Sequence, residues 1–336
     1  MKKVFKAGFA FVISALLFSN SNTALSQPHE RVKRVCTKKI GRVYMGDRYL
    51  KPGSQLCLGD RINPVNGKTA KALCYLNGEF LYFKQKTIFD NSICAIPQNI
   101  VELCTGINPS RCYISKGPGD DKDVPTLISP YGSSMLSTRP VISWYGVSRA
   151  TSYTVIVSGY EFYWEITVDK SITTLPYPKE QNQLQFGNTY KFTVLANVGD
   201  TPITSSEPLV VSVLPQEEQD VILQKVKQVN ELALPLDEAA IWDKDAVYMS
   251  RSLLNETIET LKATEAAGSR NPTLYRVLAD RYLEAWLPKE ALREYTLAAQ
   301  LAKSTNNLEE LARIEEGLKI ISFYNQPPTS TNPAQK

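Results

Sequence analysis

Hydrophobic and polar positions follow three different patterns along the chain, and each pattern predicts a different kind of structure. Residues 31–115 alternate short apolar stretches with Gly, Pro and Asn turns. Residues 126–214 contain runs in which apolar and polar residues alternate, which is typical of strands with one buried face. Residues 216–325 repeat apolar positions at helical spacing. The chain is therefore predicted to be a multidomain α+β protein.

The first segment, residues 31–115, is predicted to be a cysteine-rich β module. Asn77-Gly78 separates two of its apolar runs, and both residues tolerate the positive φ of a tight hairpin turn. The strands predicted for this module are Arg42–Met45, Gln55–Leu58, Ala70–Leu76 and Glu79–Phe83.

Residues 126–214 are predicted to be an antiparallel β-sandwich, because turn residues separate β-branched and aromatic runs at regular intervals. Residues 116–125 are rich in Gly, Pro and Asp and are predicted to be a linker. They lack the regular ligand spacing of a calcium loop. The predicted sandwich strands include Val141–Trp144, Tyr153–Val157, Phe162–Val168, Tyr190–Ala196 and Leu209–Val213.

The last segment, residues 216–325, is predicted to be helical. Pro215 ends the final strand, and Pro272 and Pro288 suit the first turns of helices. Residues 326–336 are rich in Pro, Thr, Asn and Gln and are predicted to be disordered. After a first helix that begins near 216, further helices are predicted at 237–267, 272–286, 288–303 and 307–322.

The N-terminus is typical of a secretory signal peptide spanning residues 1–26. Lysines at the start precede the uncharged apolar run Ala7–Phe18, and Ala24-Leu25-Ser26 offers small residues for cleavage. The apolar run is shorter than the roughly 20 residues that a membrane-spanning helix needs. We therefore expect an exported protein of the periplasm, the cell envelope or the extracellular space.

Cysteine usage agrees with export. An even number of cysteines confined to one segment of an exported chain predicts disulfide bonds. A zinc site is disfavoured, since no Cys-x-x-Cys pair is present and His29 is the single histidine. Spacing does not choose among the possible pairings. The six cysteines are Cys36, Cys57, Cys74, Cys94, Cys104 and Cys112.

Charge and motifs limit the functional classes. The formal net charge is +4, and three lysines lie in the predicted signal peptide, so the remaining chain is almost neutral and nucleic acid is not an expected partner. No Gly-x-Ser-x-Gly elbow, phosphate loop or dinucleotide fingerprint occurs. We therefore predict no catalytic, metal or cofactor site, and a protein that is not an enzyme.

The sandwich segment resembles a fibronectin type III domain. Trp144 follows Pro140 as in the early core strand of that family. The stretch Leu184-x2-Gly187-x-Thr189-Tyr190 matches the family's tyrosine corner, in which the tyrosine hydroxyl ties the preceding loop back to the chain. The resemblance implies a fold and no chemistry.

The helical segment resembles a tetratricopeptide repeat. The residues that carry this resemblance are Tyr275, Leu278, Ala279, Tyr282, Ala291, Tyr295 and Ala298. Small residues would let two helices approach closely, and the tyrosines would fill the gap between them. The family binds protein segments in a groove, so the resemblance implies partner-binding positions on the first helix of the repeat. The outward positions there are Arg276, Asp280, Arg281 and Glu284.

A weaker resemblance concerns the first module. Its turn pattern Lys51-Pro52-Gly53, Gly59-Asp60, Gly67-Lys68 and Asn77-Gly78 is similar to the β domain of FecR-like envelope proteins, although that family pattern does not include the cysteines. The modular order also resembles exported bacterial proteins, those of cyanobacteria in particular.

Three functions remain open from these patterns. The first is a non-catalytic interaction or scaffold protein that binds an unknown envelope protein through the helical repeat. The second is a glycan- or peptidoglycan-binding module that uses exposed rings at Tyr160 and Tyr163. The third is a cell-wall hydrolase, which would need a carboxylate pair that the sequence does not reveal. The neighbouring Phe162 and Trp164 are expected to lie in the core, because they share one strand face.

Overall fold

The computed structural model describes Cys36, residues 38–95 and residues 123–324. The predicted signal peptide, the segment around Cys104 and Cys112, most of the predicted linker and the predicted disordered tail lie outside these residues. The described residues from Lys38 onward belong to one compact unit. It is a mixed α+β structure in which β-sheets precede helices.

The cysteine-rich module contains a four-stranded antiparallel sheet, in the order β2-β1-β4-β5, and a separate two-stranded pair of β3 and β6. The Asn77-Gly78 turn joins β4 to β5 as predicted, and Gly78 has a φ of 64°. The strands are β1 (Lys39–Met45), β2 (Gln55–Cys57), β3 (Asp60–Ile62), β4 (Ala70–Cys74), β5 (Phe80–Phe83) and β6 (Thr87–Phe89).

Disulfide bonds close this module, as the cysteine pattern predicted. Cys74 and Cys94, which are 20 residues apart, are bonded to each other. Cys36 and Cys57 each take part in a disulfide bond as well. Closing the loop between Cys74 and Cys94 raises the free energy of the unfolded chain by roughly 3 kcal/mol. This is a large contribution for a module with a small core.

The sandwich packs a large sheet, in the order β11-β10-β13-β15-β8 with β14 on β13, against a small sheet in the order β12-β9-β7. Pairing is antiparallel except between β15 and β8. The strands are β7 (Thr126–Ser129), β8 (Ser134–Met135), β9 (Ile142–Tyr145), β10 (Ser152–Gly159), β11 (Phe162–Asp169), β12 (Thr174–Leu175), β13 (Thr189–Val198), β14 (Thr201–Ser205) and β15 (Leu209–Val213).

Aromatic side chains fill the sandwich core. Trp144 is buried and meets Tyr153 edge-to-face, with ring centroids 5.5 Å apart. The hydroxyl oxygen of Tyr190 accepts a hydrogen bond of 2.7 Å from the backbone N–H of Gln185, five residues earlier. This bond is the one that the tyrosine-corner resemblance implied.

The helical part begins directly after the sandwich. Pro272 and Pro288 occupy the first turns of their helices, as predicted. The elements are α1 (Gln216–Glu231), α2 (Leu236–Glu238), a π-helical segment (Ala239–Lys244), α3 (Asp245–Met249), α4 (Leu254–Ala266), α5 (Pro272–Glu284), α6 (Pro288–Ser304) and α7 (Leu308–Tyr324).

The prediction of one continuous helix over 237–267 is wrong, because the chain turns between α3 and α4. Ser252 adopts a left-handed conformation with a φ of 55°. The N–H of Leu253 bonds to the carbonyl of Tyr248, and the N–H of Ser252 bonds to that of Met249. These two bonds are the Schellman motif that ends helices. A serine occupies the position where glycine is usual, so the sequence contains no glycine to mark the break.

The helices share apolar cores with both β modules. Tyr44 and Leu73 of the cysteine-rich module cluster with Ile222 and Val247 of the helices. Tyr131 of the sandwich belongs to a cluster otherwise made of buried helical residues. The helices are thus packed against both β modules through shared apolar clusters.

Close packing between α6 and α7 generates a first prediction, at Gly317. Alanine within a helix is ordinarily favoured over glycine by about 1 kcal/mol. A Cβ at Gly317, however, would overlap the ring of the buried Tyr295. We expect Gly317→Ala to lower the free energy of unfolding by about 1–3 kcal/mol in urea denaturation.

The exposed Ala312 on the same helix provides the control. Ala312→Gly should cost about 1 kcal/mol, which reports helix propensity alone. A Gly317→Ala protein as stable as the unsubstituted one would contradict the close contact with Tyr295.

Candidate functional site

The joint between the cysteine-rich module and the helices is built around a fully buried arginine. Nε of Arg42 lies 3.0 Å from both carboxylate oxygens of Asp243. Its Nη1 donates to the carbonyl of Gly53 at 2.6 Å and lies 2.8 Å from Oε1 of Glu238. The Tyr44 hydroxyl donates to the same Asp243 carboxylate at 3.0 Å. We call these residues, together with Tyr75, the Arg42 cluster.

Local structure explains how these groups meet. Arg42 and Tyr44 are two residues apart on β1, so they project from the same face of the sheet. Asp243 lies in the π-helical segment and is fully buried. Burial raises the pKa of the Asp243 carboxyl to about 6, against the opposing effect of the Arg42 guanidinium. Burial also raises the pKa of Tyr44.

Further contacts surround this cluster. Lys225 of α1 donates to Glu79 at 2.6 Å, and Gln55 donates to Glu238 at 2.9 Å. The ring of Tyr75 stacks on that of Trp242, with centroids 6.1 Å apart. None of these residues belongs to a site that the sequence predicted.

The predicted partner-binding residues do come together, on α5, in a second ionic group. Arg276 donates to Asp280 at 2.5 Å and pairs with Glu310 of α7. Arg281 donates to Glu284 at 2.7 Å and to Asp245 of α3 at 2.6 Å. We call these six residues the α5 ion-pair network. It connects α5 to both α3 and α7.

The sequence predicted that the four partner-binding side chains point outward, but in the structure they are mostly buried and paired within the network. The side chains of Arg276, Asp280, Arg281 and Glu284 are only 10–22% exposed, and each has an intramolecular partner of opposite charge. Burial raises the pKa of Asp280 and of Glu284, against the opposing effect of the neighbouring arginines. Burial lowers the pKa of Arg276, but the adjacent carboxylates bring it above its ordinary value.

A cleft of about 420 Å³ lies between the sandwich and the helices. Residues from both parts line it, among them Ser137, Arg139, Tyr248, Glu256 and Thr260. Arg139 is held at the rim, because its guanidinium donates to the carbonyls of Pro178 and Gln181.

Glu256 joins the two walls of this cleft. Its Oε1 accepts a hydrogen bond of 2.7 Å from the N–H of Leu136. Its Oε2 is buried and has no hydrogen-bond partner among the described residues. Burial raises the pKa of this carboxyl, and the bond from Leu136 opposes the rise. Glu256 therefore acts as a structural clamp between the sandwich and α4.

The aromatic residues of β11 and of the turn before it lie alternately in the core and on the surface, as the two-residue period of a strand predicted. Trp164 is buried and donates to the Tyr177 hydroxyl at 2.9 Å. Phe162 packs on the core and is half-buried. The side chains of Tyr160 and Tyr163 are 83% and 63% exposed. The hydroxyl of Tyr163 donates to Glu165 at 2.5 Å.

Two kinds of feature are absent from the described part of the chain. No cluster of three or more His, Cys, Asp and Glu side chains has a geometry that could hold a metal ion. No helix in this part is both long and apolar enough to cross a membrane.

The solved structures that are similar to this chain each match about a quarter of it. No family model and no curated protein matches this chain. Among solved structures, the FN1–FN3 domains of chicken CNTN1 match 27% of this chain and 30% of their own length, with 15% identity and a TM-score of 0.23. The FN3 domain of human collagen XX matches 27% of this chain and 91% of its own, with 16% identity and a TM-score of 0.22. The chain thus spans less than a third of the CNTN1 fragment.

The Arg42 cluster generates a prediction about stability. Arg42→Met leaves the Asp243 carboxylate buried without its counter-ion, so we expect the free energy of unfolding to fall by about 3–5 kcal/mol. The double variant Arg42→Met/Asp243→Leu removes both charges and should recover much of that loss. A double-mutant cycle in urea denaturation measures the coupling.

The exposed pair of Arg313 and Glu309 on α7 provides the control, with side chains 42% and 75% exposed. Arg313→Met should cost at most about 0.5 kcal/mol. Additive effects of the substitutions at Arg42 and Asp243 would show that the pair is not coupled.

The clamp at Glu256 generates a pH prediction. Because its pKa is raised in the folded state, the folded protein binds the proton more tightly than the unfolded chain. The stability that this group contributes is therefore greatest below the ordinary glutamate pKa and is lost as the pH rises through the raised value. Glu256→Gln keeps an acceptor for Leu136 and cannot ionise.

We therefore expect the stability of Glu256→Gln relative to the unsubstituted protein to increase as the pH rises from below the ordinary glutamate pKa through the raised pKa of Glu256, and to level off above it. Urea denaturation at each pH measures this difference. Glu180→Gln, at an exposed position of the sandwich, controls for loss of one charge. A difference that does not change with pH would contradict the role of desolvation at Glu256.

Proposed function

We propose that this chain is an exported, non-catalytic scaffold of the periplasm or cell envelope that binds a protein partner through its helical part. One observation carries the proposal: the helices are fastened to the cysteine-rich module by the buried Arg42 cluster and to the sandwich by Glu256 and Tyr131. A helical part held between two β modules can present a partner in a defined position. The disulfides of the first module support export.

The proposal includes the finer family assignments. We infer a fibronectin type III-like sandwich, supported by the Tyr190 hydrogen bond to Gln185 and by the core position of Trp144. We infer a tetratricopeptide-like hairpin of α5 and α6. The buried small residues Ala279, Ala291 and Ala298 support this hairpin, because they allow the two helices to approach closely.

The charges of the α5 ion-pair network suggest the chemistry of the partner. The network contains four carboxylates, at Asp245, Asp280, Glu284 and Glu310, and only two guanidinium groups. Its excess of negative charge lies in a partly buried setting, where screening by salt is weak. A basic segment of a partner protein would satisfy that excess. In this view Arg276 and Arg281 position the carboxylates.

A glycan-binding role is the second candidate. It is favoured by one observation, the high exposure of the Tyr160 and Tyr163 rings on the sandwich. Flat rings in such positions can stack against sugars. In this case the ligand would be wall polymer, and the helices would support the sandwich.

Photo-crosslinking in the full chain tests the proposal and separates the two candidates. A photoreactive residue replaces Thr273, which lies on the same helical face as Arg276 and Asp280. A second variant carries it at Tyr160, and a third at the exposed Glu180 as a control. Each variant is expressed in the exporting cell and irradiated, and the crosslinked material is identified by mass spectrometry.

We expect one defined protein to be crosslinked from position 273 and not from position 180. The proposal fails if position 273 captures no protein above the level of position 180. Wall polymer crosslinked from position 160, with no protein from 273, would favour the glycan-binding role.

A further inference from the structure

Among the described residues, the strand β11 forms one edge of the large sheet. It pairs on one side with β10, in an unbroken register from Ser152↔Asp169 to Gly159↔Phe162. On the other side it is the end of the large sheet. Within the described part of the chain, the backbone of residues 162–168 has no hydrogen-bonded strand partner other than β10. An edge of this kind can accept a further strand.

The edge lacks several devices that commonly prevent strand addition. Residues 162–169 contain no proline, lysine or glycine, and the pairing with β10 has no bulge. Natural edges are commonly protected by proline, by bulges, by short length or by charged side chains, lysine above all. Of these, β11 carries only the charges of the exposed Glu165 and Asp169. At eight residues, β11 is longer than an average strand.

The inner face of the edge is incompletely covered. Phe162, Ile166 and Val168 face the core but are only partly buried, whereas Trp164 is buried. The small sheet has fewer strands than the large sheet, and its end strand β12 has only two residues, so it covers less of the large sheet's inner face. An added strand with apolar side chains on this face would bury the remaining area of these three residues.

The outer face of the same strand is acidic. Its exposed side chains are Tyr163, Glu165, Thr167 and Asp169. Cross-strand neighbours of opposite charge stabilise a sheet, and like charges destabilise it. A second copy of this chain would bring four carboxylates to one seam, whereas a basic strand would pair with Glu165 and Asp169. Charge complementarity therefore favours a basic occupant.

We propose that β11 binds an extended segment of a partner protein by strand addition, and that the segment alternates apolar with basic residues. Its apolar side chains cover Phe162, Ile166 and Val168, and its basic side chains meet Glu165 and Asp169. Backbone hydrogen bonds along β11 supply affinity, and the two faces supply specificity. This site is separate from the helical surface of the proposed function and does not depend on it.

A matched pair of peptides tests the charge rule. The probe is a fluorescein-labelled, capped octapeptide of alternating lysine and valine, and its counterpart has glutamate in place of lysine. Binding to the full chain is measured by fluorescence anisotropy. We expect the lysine peptide to bind at least tenfold more tightly, and amide hydrogen exchange to slow within residues 162–169 when it is bound.

Backbone methylation distinguishes strand addition from simple charge attraction. N-methyl groups on alternate amides of the lysine peptide block one of its two edges, and shifting them by one residue blocks the other. A strand bound along β11 uses one edge only. One methylated peptide should therefore bind like the parent, and the other should lose binding at least tenfold.

Substitutions in the chain complete the test. Glu165→Lys, at an exposed position, should weaken the lysine peptide about tenfold, while Glu180→Lys elsewhere on the sandwich should leave its binding unchanged. The proposal is overturned if both methylated peptides bind equally, or if the two variants weaken binding to the same extent. Analytical ultracentrifugation without peptide measures whether the chain self-associates. If it does, and if amide exchange at β11 slows with that self-association, the edge binds a second copy, and the proposal is overturned.

Discussion

The rest of the structure depends on how a buried guanidinium charge is compensated. Arg42 is fully buried, and removing such a charge from water costs several kcal/mol unless carboxylates and carbonyls replace the lost hydration. Those groups come from the helices, at Asp243 and Glu238, and from the module's own Gly53. The cysteine-rich module alone would leave this arginine without its carboxylates. The buried pair therefore ties the stability of the module to the presence of the helices.

The course of the helical part is set by where its helices end. Left-handed residues terminate α3, α5 and α6 at Ser252, Trp286 and Asn306. After each of them the chain turns and starts another helix within a few residues. These turns bring α3, α5 and α7 close enough for Arg281 and Arg276 to reach carboxylates on the neighbouring helices. Local backbone geometry thus places the ionic groups that connect the helices.

Features that depend on local pattern were predicted well, and features that depend on long-range pairing were not. The strands of the sandwich, the Asn77-Gly78 hairpin and the helix starts at Pro272 and Pro288 follow from periodicity and turn chemistry within a few residues. Arg42 and Asp243, by contrast, are 201 positions apart, and no local pattern connects them. The break at Ser252 was missed for a different reason, because a serine takes the left-handed position that glycine normally marks.

The two candidate interaction surfaces differ in how far their carboxylates are already buried and paired with cations of the same chain. Carboxylates of the α5 ion-pair network are already paired and mostly buried, so a partner must compete with Arg276 and Arg281 for them. Glu165 on β11 is exposed and accepts a hydrogen bond from the neighbouring Tyr163 hydroxyl. Asp169 is also exposed and accepts hydrogen bonds from the N–H and the hydroxyl of Ser171, and neither carboxylate is paired with an arginine among the described residues. Strand addition also satisfies backbone groups that water otherwise solvates. Binding at β11 therefore requires less rearrangement of the folded chain than binding at α5.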